Sequence, residues 1–118
     1  ITKFMKNLDE KKPLIINGDG MQIRDFVYVE DVAKANLVAM ESKVGSGFFN
    51  IGTGIATSIK KLAQIMIELS TSSTGLIFSE PLKGDIKKSQ ANTDLTEKML
   101  GWKFTMDLKS GLQKIMSK

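Results

Sequence analysis

Gly18-Asp19-Gly20-Met21-Gln22-Ile23-Arg24-Asp25-Phe26-Val27-Tyr28-Val29-Glu30-Asp31-Val32 carries a turn, a strand and a helix start in quick succession. Asn17 to Gly20 is a turn cluster, because Asn, Asp and Gly tolerate the backbone angles a tight reversal needs. Phe26 to Val29 is rich in aromatic and β-branched residues and predicts a strand. Asp31 reads as the N-cap of a helix running to about Ser42, with Val32, Ala35, Ala39 and Met40 on its inner side. The same stretch holds the only Arg among seventeen Lys and Arg residues, Arg24. A planar, forked guanidinium suits a bidentate anion such as a diphosphate, and it equally suits a structural ion pair. Composition alone leaves both roles open.

Working outward, Ile1, Phe4, Met5 and Leu8 have the spacing of one helical face, and Pro13 stops that helix. Leu14–Ile16 reads as a short buried strand. On the C-terminal side, Phe48–Ile51 is a second β-prone segment, and Gly52-Thr53-Gly54 is a turn. Ser58 caps a helix whose inner face is Ile59, Leu62, Ala63, Met66 and Leu69. Leu76–Phe78 is a short strand, and Pro81–Gln90 an extended basic loop. Asp94 with Glu97 resembles a capping pair before a helix ending near Gly101, and Asp107 caps a last helix bearing Leu108, Leu112 and Ile115. The expectation is an α/β fold with about five helices and three or four short strands. It lacks the regular strand–helix alternation of a complete doubly wound sheet.

The 118 residues fit one domain, spanning 1–118, and 42% hydrophobic content is enough for a core. Position 1 is Ile rather than Met, so a piece of a longer protein is expected. No apolar run reaches the roughly 20 residues of a membrane span, and the first ten residues lack a signal-peptide core. A cytoplasmic location is the default expectation. The sequence contains no Cys and no His. That excludes disulfides, Cys/His zinc sites, Cys nucleophiles and Ser/His/Asp triads from this chain.

Four features invite a functional reading. Gly52-Thr53-Gly54 lacks the third Gly or Ala of a dinucleotide fingerprint, since position 57 is Thr57, so a tight turn is the better reading. Arg24 together with Lys83-Gly84-Asp85-Ile86-Lys87-Lys88 makes a candidate anion site, against the alternative of a solvated basic loop. With few aromatics and no nucleic-acid motif, nucleic acid is not the expected partner. Tyr28, the only Tyr, has no Lys four positions later. Trp102, the only Trp, reads as a core plug between two helices.

Several of these segments together resemble the extended short-chain dehydrogenases, the NAD-dependent epimerase/dehydratase family, and most closely its UDP-glucose 4-epimerase group. Gly18 to Val32 is similar to that family's GDGxQxRDFVYVxDV segment, and Phe49-Asn50-Ile51-Gly52-Thr53-Gly54 to its FNxGxG turn. Gly84 to Asn92 resembles the GDIRxSxAD loop, Leu100-Gly101-Trp102 the LGW helix end, and Leu108 to Leu112 the LxxGL helix. These motifs occur in order across positions 18 to 112.

The resemblance implies a small C-terminal substrate-binding lobe without its Rossmann lobe. It implies a nucleotide sugar, a UDP-sugar above all, as ligand. Arg24 would grip the diphosphate with help from Lys87. Ile16 and Asn17 would lie against the base and ribose, and Tyr28 is a further substrate-side candidate. NAD, a Tyr-x-x-x-Lys pair and a Ser or Thr would belong to the absent lobe, leaving this chain inactive alone and without catalytic or cofactor-binding residues. The departures are Lys87 for Arg, Asn17 for an aromatic, Asn92 for Asp and Phe104 for Pro. Alternatives are a dehydratase or decarboxylase lobe, or a stand-alone basic module for polyanions. An exposed apolar surface is expected where the missing lobe would dock, with self-association through it as a possibility.

Overall fold

The computed structural model describes residues 1–117. The first helix, α1 (Thr2–Asp9), buries Phe4 and Leu8, which lie one turn apart on its inner face. A positive φ of 56° at Lys11 turns the chain into β1 (Leu14–Asn17), where Leu14 and Ile16 are fully buried and Ile15 points outward. This alternation is the two-residue period of a strand covered on one side. After the turn come β2 (Ile23–Arg24) and α2 (Val29–Glu41). The chain then passes through β3 (Thr57–Ser58), α3 (Ile59–Ser70), β4 (Leu76–Ser79), α4 (Asp94–Leu100) and α5 (Leu108–Met116).

Two small sheets organise the molecule. β1 and β4 run parallel in the register Leu14↔Leu76 to Asn17↔Ser79, and β2 pairs antiparallel with β3. Ile23 of β2 also bridges Lys88, so the basic loop lies along the second sheet. The core is the space enclosed by α1, β1, α3 and α5, filled by Phe4, Leu14, Ile16, Leu62, Met66 and Leu112. The caps at Ser58 and Asp107 form as the sequence predicts, accepting from the Lys61 and Ser110 amides at 3.1 and 2.7 Å. Gly101, with φ 67°, ends α4 in the left-handed conformation a glycine adopts without strain.

Four expectations are corrected. Phe26–Val29 is not a strand: only Ile23 and Arg24 pair with β3, and α2 already starts at Val29. Asp31 is not its cap, because its carboxylate is committed elsewhere and Tyr28 stands at the N-cap without a side-chain bond. Phe48–Ile51 forms no ladder; no strand runs beside it, and the Asn50 carbonyl accepts instead from Thr96 Oγ1 at 2.6 Å. Thr93, not Asp94, precedes α4, and the Asp94 amide is satisfied by Asn92 Oδ1 at 3.1 Å.

The inner face expected for α2 is also only partly realised. Asp31 and Ala35 are buried, but Ala39 is exposed and Met40 is 82% exposed. Nothing packs over that end of the helix. The radius of gyration, 16.5 Å, exceeds the value of about 13 to 14 Å expected for a compact chain of this length. The extents of 50 × 33 × 16 Å describe a flattened, elongated slab.

Two aspartates of the opening stretch hold the loops to this frame. Asp31, 1% exposed, accepts from the Thr105 and Met106 amides at 3.0 and 2.9 Å and from Thr105 Oγ1 at 2.7 Å. Its own carbonyl accepts from Trp102 Nε1 at 3.0 Å, which fixes the buried indole. Asp25 accepts from the Thr53 amide and hydroxyl at 2.9 and 2.6 Å, from the Gly54 amide at 2.8 Å and from the Ala91 amide at 3.2 Å. Burial pushes each carboxyl upward, but the donors outweigh it. Thr53, Gly54 and Ala91 act on Asp25, while Met106, Thr105 and the charge of Lys34 act on Asp31, and both end below the ordinary carboxylate range.

Replacing Asp31 by Ala removes the acceptor of three donors and is expected to cost about 2–3 kcal/mol, measured as the shift in urea unfolding. Because both folded pKa values lie below the unfolded ones, their stabilisation is complete above the unfolded pKa and lost as pH falls through the folded values. Unfolding free energy should therefore be level down to about pH 5 and decline below about pH 4. The Asp25→Asn variant should be less stable at neutral pH and show a shallower acid decline, readable from urea titrations across that range.

Candidate functional site

The turn after β1 is shaped by two glycines with positive φ, Gly18 at 83° and Gly20 at 76°. A Cβ on Gly20 would come within 2.9 Å of Lys60 Cβ and 3.1 Å of an Ile16 methyl, so the backbone passes close over the start of α3. It is stitched there by Lys60 N–H to the Gly20 carbonyl and Ile59 N–H to the Gln22 carbonyl, at 2.9 and 3.1 Å. Gln22 and Arg24 then lie two residues apart in extended chain and share one side, while Asp25 turns to the other and closes the Gly52-Thr53-Gly54 turn. Gly52 is required at that closure, since a Cβ there would stand 2.6 Å from the Ala91 side chain and 2.9 Å from Asp25 Oδ2.

Both backbone groups of Ile23 reach the basic loop: its N–H donates to the Lys87 carbonyl at 2.8 Å, and its carbonyl accepts from Ser89 N–H at 2.9 Å. This pairing carries Asp85 onto the Arg24 side. Arg24 Nη2 donates to Asp85 Oδ1 at 2.7 Å and Nη1 to the Ile23 carbonyl at 2.8 Å. Gln22 Nε2 donates to the Asn17 carbonyl at 3.1 Å and to Asp85 Oδ2 at 3.4 Å. The guanidinium and carboxylate side chains are 26% and 29% exposed, so the pair is sheltered without being sealed.

Arg24, Gln22, Asn17, Asp85 and Ile59 line a hollow of about 370 Å³ with the start of α1 as its other wall. A wider hollow of about 990 Å³ adjoins it, sharing Asn17, Gln22 and Asp85 and adding Lys87, Phe78, Ser79 and Leu82. Arg24 and Lys87 therefore serve neighbouring hollows with a common wall. Asn17 stands in both, its Oδ1 accepting from Ser79 Oγ at 2.9 Å. Ile16 is fully buried in the core and forms part of the wall behind the hollow.

Tyr28 lies apart from this group. Its ring packs on Gly111, where a Cβ would come within 3.2 Å, and Lys114 Nζ sits 5.5 Å from the ring centroid. Gln22 and Ile59 were not singled out from the sequence, and Asp85 entered only as part of the basic loop. For Gln22 the signal was available in the two-residue period leading to Arg24, and for Asp85 in its place beside Gly84. Ile59 gives no such signal, because its inward spacing on α3 reads simply as core.

Arg24 of this group supplies a positive fork, Gln22 and Asn17 supply neutral polar groups, and the one carboxylate beside them, Asp85, is engaged by Arg24 and Gln22. Among the described residues, no cluster of acidic side chains is arranged to hold a metal ion, and no helix is long and apolar enough to cross a membrane. The Gly52-Thr53-Gly54 turn does not fit a dinucleotide pyrophosphate. The amides of Thr53 and Gly54 are already taken by the Asp25 carboxylate, whose charge would repel a second anion.

The sequence profile of the NAD dependent epimerase/dehydratase family matches residues 1–52. A candidate UDP-glucose 4-epimerase of Methanocaldococcus jannaschii is 39% identical over 117 residues, covering 99% of this chain and 36% of that protein. The solved UDP-glucose 4-epimerase of Thermotoga maritima, in complex with UDP-glucose, superposes with a TM-score of 0.90 at 34% identity, covering 97% of this chain and 37% of that one. The UDP-glucuronic acid 4-epimerase of Bacillus cereus, in complex with UDP-glucuronic acid and NAD, gives 0.89 at 29% identity over 98% and 37%. The chain thus spans about a third of the length of the curated relatives it matches. Its ordered motifs, its fold and these matches agree: the chain belongs to the NAD-dependent epimerase/dehydratase family of extended short-chain dehydrogenases and corresponds to the C-terminal portion of its members.

Proposed function

We propose that this chain forms the nucleotide-sugar-binding lobe of an NAD-dependent UDP-sugar epimerase and is inactive by itself. The observation that carries the reading is Arg24, the only Arg of the sequence, held at the edge of a hollow by Asp85 and flanked by Gln22 and Asn17. A diphosphate brings two neighbouring anionic groups, which a guanidinium can meet with parallel charge-assisted bonds. Lys87, in the adjoining hollow, adds a point charge on the same side. The Asn17 amide and the outward-facing Ile15 offer a polar group and an apolar surface to a base and ribose. Tyr28 stands in a separate, mainly apolar hollow with Met106 and Gly111, apart from the group around Arg24.

NAD and the groups that move protons and hydride belong, in this reading, to the two thirds of the family's length outside this chain. The surface offered to that part is the unfilled face of α2 and the segment after it. Val29, Leu37, Met40 and Phe48 are 70%, 53%, 82% and 99% exposed there. Large apolar side chains left this exposed are the kind of surface that a partner covers. In the isolated chain, the same face is available to a second copy.

UDP-glucose titrated against the chain, followed by calorimetry or NMR, should bind weakly. Arg24→Ala should weaken binding about tenfold or more, and Lys87→Ala by less. Binding of oligonucleotides with a steep salt dependence and no response to UDP-glucose would instead establish a polyanion module. Sedimentation should show self-association that Met40→Lys and Phe48→Lys suppress, with unfolding free energies unchanged within about 0.5 kcal/mol.

A further inference from the structure

We infer that Asp85 is a positioning residue for Arg24, setting the guanidinium in the hollow so that its remaining donors face an incoming anion. The inference rests on the proposed role of Arg24 in holding a diphosphate. It adds that the basic loop contributes a carboxylate, and not only positive charge, to that task.

An acidic side chain beside an anion site invites the opposite reading, in which Asp85 is an internal competitor that a ligand must displace. The hydrogen-bond inventory separates the two. A guanidinium has five N–H donors in a fixed fork. Two are assigned here, one to Asp85 Oδ1 and one to the Ile23 carbonyl. The other three are left for a ligand without breaking either bond.

Asp85 is itself held from two directions, by Arg24 on Oδ1 and by Gln22 on Oδ2, and Gln22 is tied to the Asn17 carbonyl. The loop carrying Asp85 is fixed to β2 through both backbone groups of Ile23, one residue from Arg24. Arg24 is thus braced on both ends of its fork by groups that are braced in turn. An arginine free to sample its rotamers must be ordered when ligand binds, and bracing removes that cost in advance.

The test uses the whole chain with inorganic pyrophosphate as the probe, which has no base or ribose to contact Asp85 directly. Asp85→Asn should weaken pyrophosphate binding about three- to tenfold, the worth of ordering one long side chain. Gln22→Ala leaves the charge of Asp85 in place and should weaken binding by a smaller factor, which removal of a competing charge could not produce. The side-chain ¹H–¹⁵N signal of Arg24 should show restricted motion in the wild type and faster motion in Asp85→Asn, at an unfolding midpoint close to that of the wild type.

Tighter pyrophosphate binding by Asp85→Asn would overturn the inference in favour of competition. Unaltered binding together with unaltered Arg24 motion would overturn it outright. If the wild type binds neither pyrophosphate nor UDP-glucose, the diphosphate reading of the site fails and the inference falls with it. If the wild type binds both and Asp85→Asn binds pyrophosphate equally well, only the role of Asp85 fails.

Discussion

Two carboxylates six positions apart in one short segment gather the loops of this molecule. Asp25 takes four donors from residues 53, 54 and 91, and Asp31 takes three from residues 105 and 106. Among the described residues neither makes a salt bridge; each is held chiefly by amides and hydroxyls arranged around it. Such a site is demanding, because a buried charge with a missing partner is far costlier than an absent one. It also explains why long irregular stretches hold a definite course beside such small sheets. The backbone donors that a ladder would otherwise consume are satisfied by side chains that the opening segment brings.

The hollow beside Arg24 depends on the same segment. Consecutive residues in extended chain face opposite ways, so Arg24 can look into the hollow while Asp25 closes the loops behind it. The strand that separates them is only two residues long. Its stability comes from both neighbours at once, β3 on one side and the basic loop on the other. Positive fork, acidic brace and structural clamp are therefore parts of one unit.

How much of this was legible in the sequence depends on where each residue finds its partners. Helices that carry their own period and caps, such as the one begun by Ser58, could be read directly, since cap and face lie within a few residues. Trp102 was legible as a core plug because a lone indole beside a helix end has few other uses. Asp31 was misread because an Asp near a helix start is usually a cap, and its true partners lie 74 and 75 residues away. Phe48–Ile51 has the composition of a strand, but composition cannot supply a neighbour to pair with. For Arg24 the structure shows the ion-pair reading, at the edge of a hollow, and only the fold could show that Asp85, 61 residues on, is the pair's other half.

The parallel pairing of β1 with β4 has a consequence for how the chain comes into being. Asn17 and Ser79 are aligned although 62 residues separate them. During synthesis, which proceeds from the N-terminus at about 5–20 residues per second, β1 emerges seconds before its neighbour exists. Leu14 and Ile16 have α1 beside them as they emerge and α3 joins before residue 76, but the edge of β1 that β4 will pair stays open over that interval. A nascent chain paused before residue 76 thus presents a bare strand edge, the state most open to chaperones and to mispairing.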